Sequence, residues 1–382
     1  MAILNTIATR SLDVDASPGV AWTTLARGVF WWMLAAKLLG GWGLRWDIQW
    51  HLRIGRDSFW IAPHVMTYAS VGLVVLLSFG LLAAETARHR SGPVAAPMMR
   101  MLGLVGTRGM HLAAWGIALT VLAAPIDDLW HRLFGLDVTL WSPPHLLGLA
   151  GAAVNSLGCL LLAREIYPAD RRTSFVATVI PAAMFYGTLR IALSPAFDLA
   201  YQHSGVLFHT HAILGALLLP LGLISAARIT RVRSAPLAVA VVSLLIGLSG
   251  DAVAHLGFSV LQPVSVIQEA IAQDPGSPIA IANAVARKHG ERPGAIGVVP
   301  LVASLITVLS LIAVDARRYP RAASVAYAVT TFSIFGWLLT HSPAFGPNTP
   351  DLAATCAALA LTLLAALGGA AGATRLARML EH

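Results

Sequence analysis

The chain has 382 residues, of which 57% are hydrophobic and 12% charged, where a soluble globular protein carries about 25% charged residues. That balance excludes a soluble enzyme and points to an all-α, polytopic integral membrane protein. The formal charge of +8 does not signal nucleic acid, because the arginines cluster between apolar runs, where basic residues set topology, and no stretch interleaves them with aromatics.

Residues 1–27 form an N-terminal segment whose first 22 residues are mixed and polar, so the first span is expected to be a retained anchor rather than a cleaved signal. Ten membrane helices, built as helical hairpins, are expected near 28–45, 62–85, 108–126, 143–165, 173–193, 206–227, 235–256, 296–315, 322–340 and 352–373. They divide the chain into a metal-site membrane domain at 28–165, a second membrane domain at 166–256, an outer-face loop or amphipathic helix at 257–295, and C-terminal membrane helices at 296–382. Arg88, Arg90, Arg100 and Arg108, then Arg164, Arg171 and Arg172, then Arg228, Arg231 and Arg233, then Arg317, Arg318 and Arg321 fall in alternate connections. The positive-inside rule makes those connections and both termini cytoplasmic, in a bacterial-type inner membrane. Cys159 and Cys356 sit inside apolar runs without C-x-x-C spacing and read as small core residues.

The same orientation sends the histidines outward. Of 13 histidines, His51, His64, His131, His145, His203, His209, His211, His255 and His341 fall at outer span ends. Asp47-x3-His51 is followed after twelve residues by His64, and Asp127-x3-His131 is followed after thirteen by His145. Fainter echoes are Asp198 with His203, His209 and His211, then Asp251-x3-His255, then His341 alone. The pattern is a hairpin repeat that decays along the chain.

Residues four apart share a helix face, so Asp47 projects with His51, Asp127 with His131, and Asp251 with His255. The short crossing then returns His64 or His145 to the same depth. Ionisable groups near a bilayer are expensive and are usually functional and partnered. One carboxylate and two imidazoles suit copper, non-haem iron(II) or zinc, and spacing does not separate them. The bland alternative is mutual pairing of Asp and His at a helix end, with Trp46, Trp50, Trp60, Trp130 and Trp141 as an aromatic belt. One motif favours that alternative, whereas two in series favour a metal. For Asp198, His203, His209, His211, Asp251 and His255 the two readings are balanced, and His341, His89 and His111 read as structural.

The stretch around the first motif resembles the C subunit of the copper membrane monooxygenases, the particulate methane and ammonia monooxygenase group. The resemblance rests on Trp50, His51, Arg56, Asp57, Phe59, Pro63 and His64 and on the two ligand spacings, and it covers residues 28–165. It implies copper held by Asp47, His51 and His64, and a second ion or a support for the first at Asp127, His131 and His145. Asp127 stands where the family has asparagine. Arg56, Asp57 and Asp128, with Trp50 and Trp130, would then surround and orient the imidazoles. The implied activity is insertion of an oxygen atom from O2 into a small apolar substrate arriving from the lipid bilayer. Asp47, His51 and His64 would be the catalytic residues, and reductant would come from an unidentified donor, with membrane quinol the natural source. A homo-oligomer is one form the resemblance suggests. The competing readings are a non-catalytic membrane copper-binding or copper-handling protein and a non-haem iron hydroxylase or desaturase.

Overall fold

The computed structural model describes residues 20–55, 58–89, 97–134, 139–167, 172–295 and 297–381. The order is α1 (Val20–Arg53), α2 (Ala62–Arg88), β1 (Met99–Met101), β2 (Leu104–Gly106), α3 (Arg108–Phe134), α4 (Pro143–Ile166), α5 (Arg172–Ala192) and α6 (Ala196–Gln202). A 3-10 turn (Gly205–His209) leads into α7 (Thr210–Thr230), followed by α8 (Ala235–Leu261), α9 (Ile267–Gln273), α10 (Pro278–His289), α11 (Val298–Ala313), α12 (Pro320–Thr340) and α13 (Leu352–Glu381).

Among the described residues, eight helical stretches are long and apolar enough to cross a membrane: α2, α3, α4, α5 with α6, α7 with its 3-10 turn, α8, α12 and α13. The architecture is that of a helical membrane protein. Two of the ten expected spans fall short of that standard. The 296–315 segment forms only the 16-residue α11, about 24 Å long against a hydrocarbon core of about 30 Å. The 28–45 segment lies inside α1, whose 34 residues reach about 51 Å. α1 therefore continues well past its apolar stretch, and that continuation carries Asp47 and His51. The all-α expectation also misses one antiparallel hairpin, in which Met99 pairs with Gly106 and Met101 with Leu104. Leu102 (φ 49°) and Gly103 (φ 82°) make its two-residue turn, the positive-φ pair that such tight hairpins require.

Small residues bring the helices together. A Cβ at Gly158 would stand 2.1 Å from the Ala113 amide nitrogen, and one at Gly116 would stand 2.3 Å from that of Asn155. α3 and α4 thus run antiparallel with their backbones almost touching, as small residues permit in membranes. Glu165 ties the end of α4 to the start of α3, accepting from the Gly109 amide at 3.0 Å and from the Thr107 hydroxyl. Asn155 links three helices, because it accepts from Lys37 Nζ of α1 at 2.5 Å and donates to the Ala113 carbonyl at 2.6 Å. α1 and α2 form the other hairpin, with Ser70 Oγ donating to the Ala36 carbonyl at 2.6 Å. Cys159 is buried in this packing, whereas Cys356 is exposed on α13 and is not the core residue its apolar run suggests.

The Asp/His end of α1 is held from outside its own hairpin. α8 runs parallel to α1, with Trp42 Nε1 donating to Ser249 Oγ at 2.8 Å. Arg45 grips the Asp251 carboxylate through Nε at 2.5 Å and Nη2 at 3.2 Å, and Gln49 Nε2 adds 2.9 Å. Trp46 and Trp50 pack on Phe258, and Gly257 leaves the space that Trp46 fills. The 257–295 connection is not one amphipathic helix but two short ones that close over the α1 terminus. Ser265 Oγ bonds the Arg53 carbonyl at 2.6 Å, the Val266 amide bonds the Ile54 carbonyl at 2.8 Å, and Asn283 Nδ2 bonds the Leu52 carbonyl at 2.9 Å. These partners satisfy carbonyls that a helix end leaves open.

Asp251→Ala should therefore lower stability by about 2 kcal/mol, between the values for exposed and buried ion pairs, because the Arg45 guanidinium loses its counter-charge. Thermal unfolding of the detergent-solubilised protein measures it. An unchanged midpoint would show that the pair holds nothing together.

Candidate metal centre

The last turns of α1 and the first turn of α2 build the centre. Asp47 and His51 are one helical turn apart, so both side chains leave α1 on one face. The crossing of eight residues returns the chain, and Pro63 starts α2 with the φ that a first turn needs. His64 follows directly and points back at α1. Its Nε2 lies 3.1 Å from Asp47 Oδ1, and His51 Nδ1 lies 3.4 Å from the same oxygen. The two rings are 6.1 Å apart between centroids.

Among the described residues, Asp47, His51 and His64 are the one group of three or more His, Cys, Asp or Glu side chains with donor atoms all within 4.8 Å. Ligand atoms about 2.1 Å from a shared ion lie about 3.0–3.4 Å apart in square or tetrahedral arrangements, so the 3.1 Å between His64 Nε2 and Asp47 Oδ1 matches two donors of one cation. The site is half-buried, with side-chain exposures of 21% for Asp47, 25% for His51 and 19% for His64, which leaves it reachable from outside.

Backbone carbonyls assign the imidazole tautomers. His64 Nδ1 lies 3.0 Å from the Ser58 carbonyl, and His51 Nδ1 lies 3.0 Å from the Asp47 carbonyl. A carbonyl can only accept, so each Nδ1 that faces one donates, and Nε2 is the atom each ring would offer a cation.

The second hairpin repeats this construction. α4 begins with Pro143 and Pro144, and both α2 and α4 follow an extended residue, Ile61 (ψ 149°) or Ser142 (ψ 151°). His145 Nδ1 reaches the Thr139 carbonyl at 2.7 Å, six residues back as in His64 and Ser58, and His145 Nε2 lies 3.4 Å from Asp127 Oδ1. The shared signal was present in the sequence, where Ser58-Phe59-Trp60 and Thr139-Leu140-Trp141 each stand the same distance before Pro-His. A serine or threonine, a tryptophan and a Pro-His thus frame each returning histidine. The side chain of His131, and residues Arg56 and Asp57, lie outside the described residues.

The remaining expected sites do not assemble. Asp251 is taken by Arg45 and Gln49, and His255 faces Arg292, with 3.4 Å between its Nδ1 and Arg292 Nη1. His203 is exposed. His209 is buried and stacks on Phe332 at 4.5 Å, while His211 stacks on Phe197 at 4.4 Å. Neither ring joins Asp198 in a ligand group. Asp128, expected to orient an imidazole, instead pairs with Arg132 at 2.7 Å on an exposed face, because a step of one residue turns it away from Asp127 around the helix. Trp50 is core packing against Phe258 and Trp130 lies against Phe134 with the rings tilted by 42°, so of the belt residues only Trp60, at 75% exposure, stands clearly at the surface. His341 stacks on Trp337, in keeping with a structural role.

Compared with protein-family models, curated proteins and solved structures, the chain matches none.

Proposed function

We propose that this chain is a membrane copper protein that uses Asp47, His51 and His64 to activate dioxygen against a small apolar substrate, as a monooxygenase. The observation that carries the reading is the convergence of one carboxylate and two imidazoles at the end of a membrane hairpin, within 4.8 Å of one another. Asp47 would offset the ion's charge, and the two Nε2 atoms would bind it. A bound copper ion would supply redox chemistry and an open coordination position for dioxygen. The residues do the rest. The Ser58 carbonyl holds the His64 ring in register, the α8 contacts and the 265–283 segment fix the end of α1, and the exposed Phe59 and Trp60 face the direction from which a lipid-soluble substrate arrives. Asp127 and His145, with His131, are assigned to a second ion or to support of the first. The resemblance to the C subunit of the copper membrane monooxygenases carries the choice of copper over iron or zinc, and the positive-inside rule assigns the site to the outer face.

A copper-handling protein that passes ions along a ladder of histidines is the alternative. It loses ground because the third and fourth rungs, at Asp198 and Asp251, do not gather ligands. The deciding experiment measures metal content and the EPR spectrum of the purified protein, and then oxygen consumption with a reductant and a short alkane. Stoichiometric copper with substrate-dependent oxygen uptake is expected. Copper without any oxygen uptake would leave the handling protein, iron would leave a non-haem hydroxylase, and a protein without transition metal would overturn all three.

A further inference from the structure

The end of the bundle opposite the Asp/His motifs holds a second constellation. A cavity of about 210 Å³ is lined by Arg228, Arg231, Arg317, Arg318 and Glu381. The four arginines come from the last turn of α7, the residue that ends it, and the α11–α12 connection, and Glu381 closes α13. Sequence position explains each arginine singly as a topogenic charge. It does not explain why two connections far apart in sequence bring them to one concavity.

The arrangement is built. Arg317 donates Nε and Nη2 to the two Asp315 oxygens, each at 2.8 Å, and Nη1 to the Arg231 carbonyl at 2.8 Å. Arg228 Nη1 donates to the Arg317 carbonyl at 3.1 Å, while its buried Nε has no hydrogen-bond partner. Arg233 secures the neighbouring end of α11 through the Ile312 and Ala313 carbonyls. Of the four non-glycine residues with positive φ among the described residues, two are here, Arg231 at 57° and Asp315 at 54°. Such left-handed residues are unfavourable and gather where a site over-determines the backbone. Asp315 stays ionised, since the Arg317 hydrogen bonds hold its carboxyl at about 2. It and Glu381 still leave the guanidiniums in excess.

We propose that this cavity binds the phosphate of an anionic phospholipid headgroup in the cytoplasmic leaflet. Guanidinium forks match phosphate oxygens in geometry and charge, and basic pockets between membrane helices are suited to such headgroups. The lipid, rather than free phosphate, fits the setting. Exposed Val232 and Tyr319 adjoin Arg231 and Arg318 in sequence, and exposed Met379 stands two residues before Glu381, so apolar side chains accompany the charged ones, as a lipid requires and free phosphate does not.

The test uses the full-length detergent-solubilised protein, with thermal unfolding and native mass spectrometry in the presence of phosphatidylglycerol, phosphatidylcholine or inorganic phosphate. Phosphatidylglycerol should raise the midpoint and remain bound, and the other two should not. Arg231→Gln with Arg318→Gln, both exposed and leaving the two Arg317–Asp315 hydrogen bonds in place although Arg318 Nε also lies 3.8 Å from Asp315 Oδ2, should weaken phosphatidylglycerol binding about 30-fold, as removal of two basic charges at a membrane surface predicts. Glu381→Gln should strengthen it. Equal effects of phosphatidylglycerol and phosphatidylcholine, or full retention by the double variant, would overturn the proposal. Inorganic phosphate acting as well as the lipid would overturn the assignment to a lipid.

Discussion

His64→Ala should strip the metal from the purified protein, lowering apparent affinity by more than about 100-fold. The bound rests on known sensitivities, since residues that merely orient a ligand are worth about 10–100-fold in affinity. His64 is one of three groups, and its Nε2 lies 3.1 Å from Asp47 Oδ1. His51→Ala should act alike, and Asp47→Asn should act through charge, leaving two neutral rings to face a dication. His255→Ala should leave metal content unchanged, since His255 faces Arg292 and not the centre. This contrast separates the assembled site from the repeat as written in the sequence. Acid should mimic the loss. Each imidazole must be neutral to bind, so protons compete with the metal and affinity should fall as the pH falls. Metal analysis after dialysis at graded pH reads both effects. Equal metal content in wild type and His64→Ala would remove the centre from consideration.

Gly158→Ala and Gly116→Ala should each destabilise the protein by about 2–3 kcal/mol, the upper part of the range for overpacking that forces backbone shifts. The obstacle at these positions is main chain, the amides of Ala113 and Asn155 at 2.1 and 2.3 Å from the added carbon, and no rotamer change relieves it. The helices must separate, and Asn155 then loses its bond to the Ala113 carbonyl. Gly148→Ala is the control, because its nearest neighbour is Ala123 Cβ at 3.6 Å, ordinary contact. Unfolding midpoints in detergent should fall for the first two and hold for the third. The same separation should spread Asp127 from His145, while the first centre, built on α1 and α2, keeps its metal. A Gly158→Ala protein as stable as the wild type would mean that the α3 and α4 backbones do not meet at Gly158 and Ala113.

Local chemistry made part of this protein legible from its sequence. Apolar runs marked the eight stretches that, among the described residues, are helices long and apolar enough to cross a membrane. The four-residue step of an α-helix put Asp47 beside His51, and Pro63 with the short crossing brought back His64. These follow from neighbours along the chain, as does the matching Ser/Thr, Trp and Pro-His frame around His64 and His145. What the sequence could not decide was which units of the repeat close into a site. Asp251 and His255 have the same spacing as Asp47 and His51, yet Arg45, 206 residues away, neutralises Asp251 and ends its candidacy. The end of α1 is held by Ser265, Val266 and Asn283, from a connection that reads in the sequence only as an outer-face loop or amphipathic helix. Four scattered arginines become one cavity only when α7, α11, α12 and α13 pack. The physical reason is common to all of these. Periodicity fixes the face of a single helix, whereas charge pairing, glycine contacts and helix-end capping depend on which helices meet, and that is settled by packing across the whole bundle.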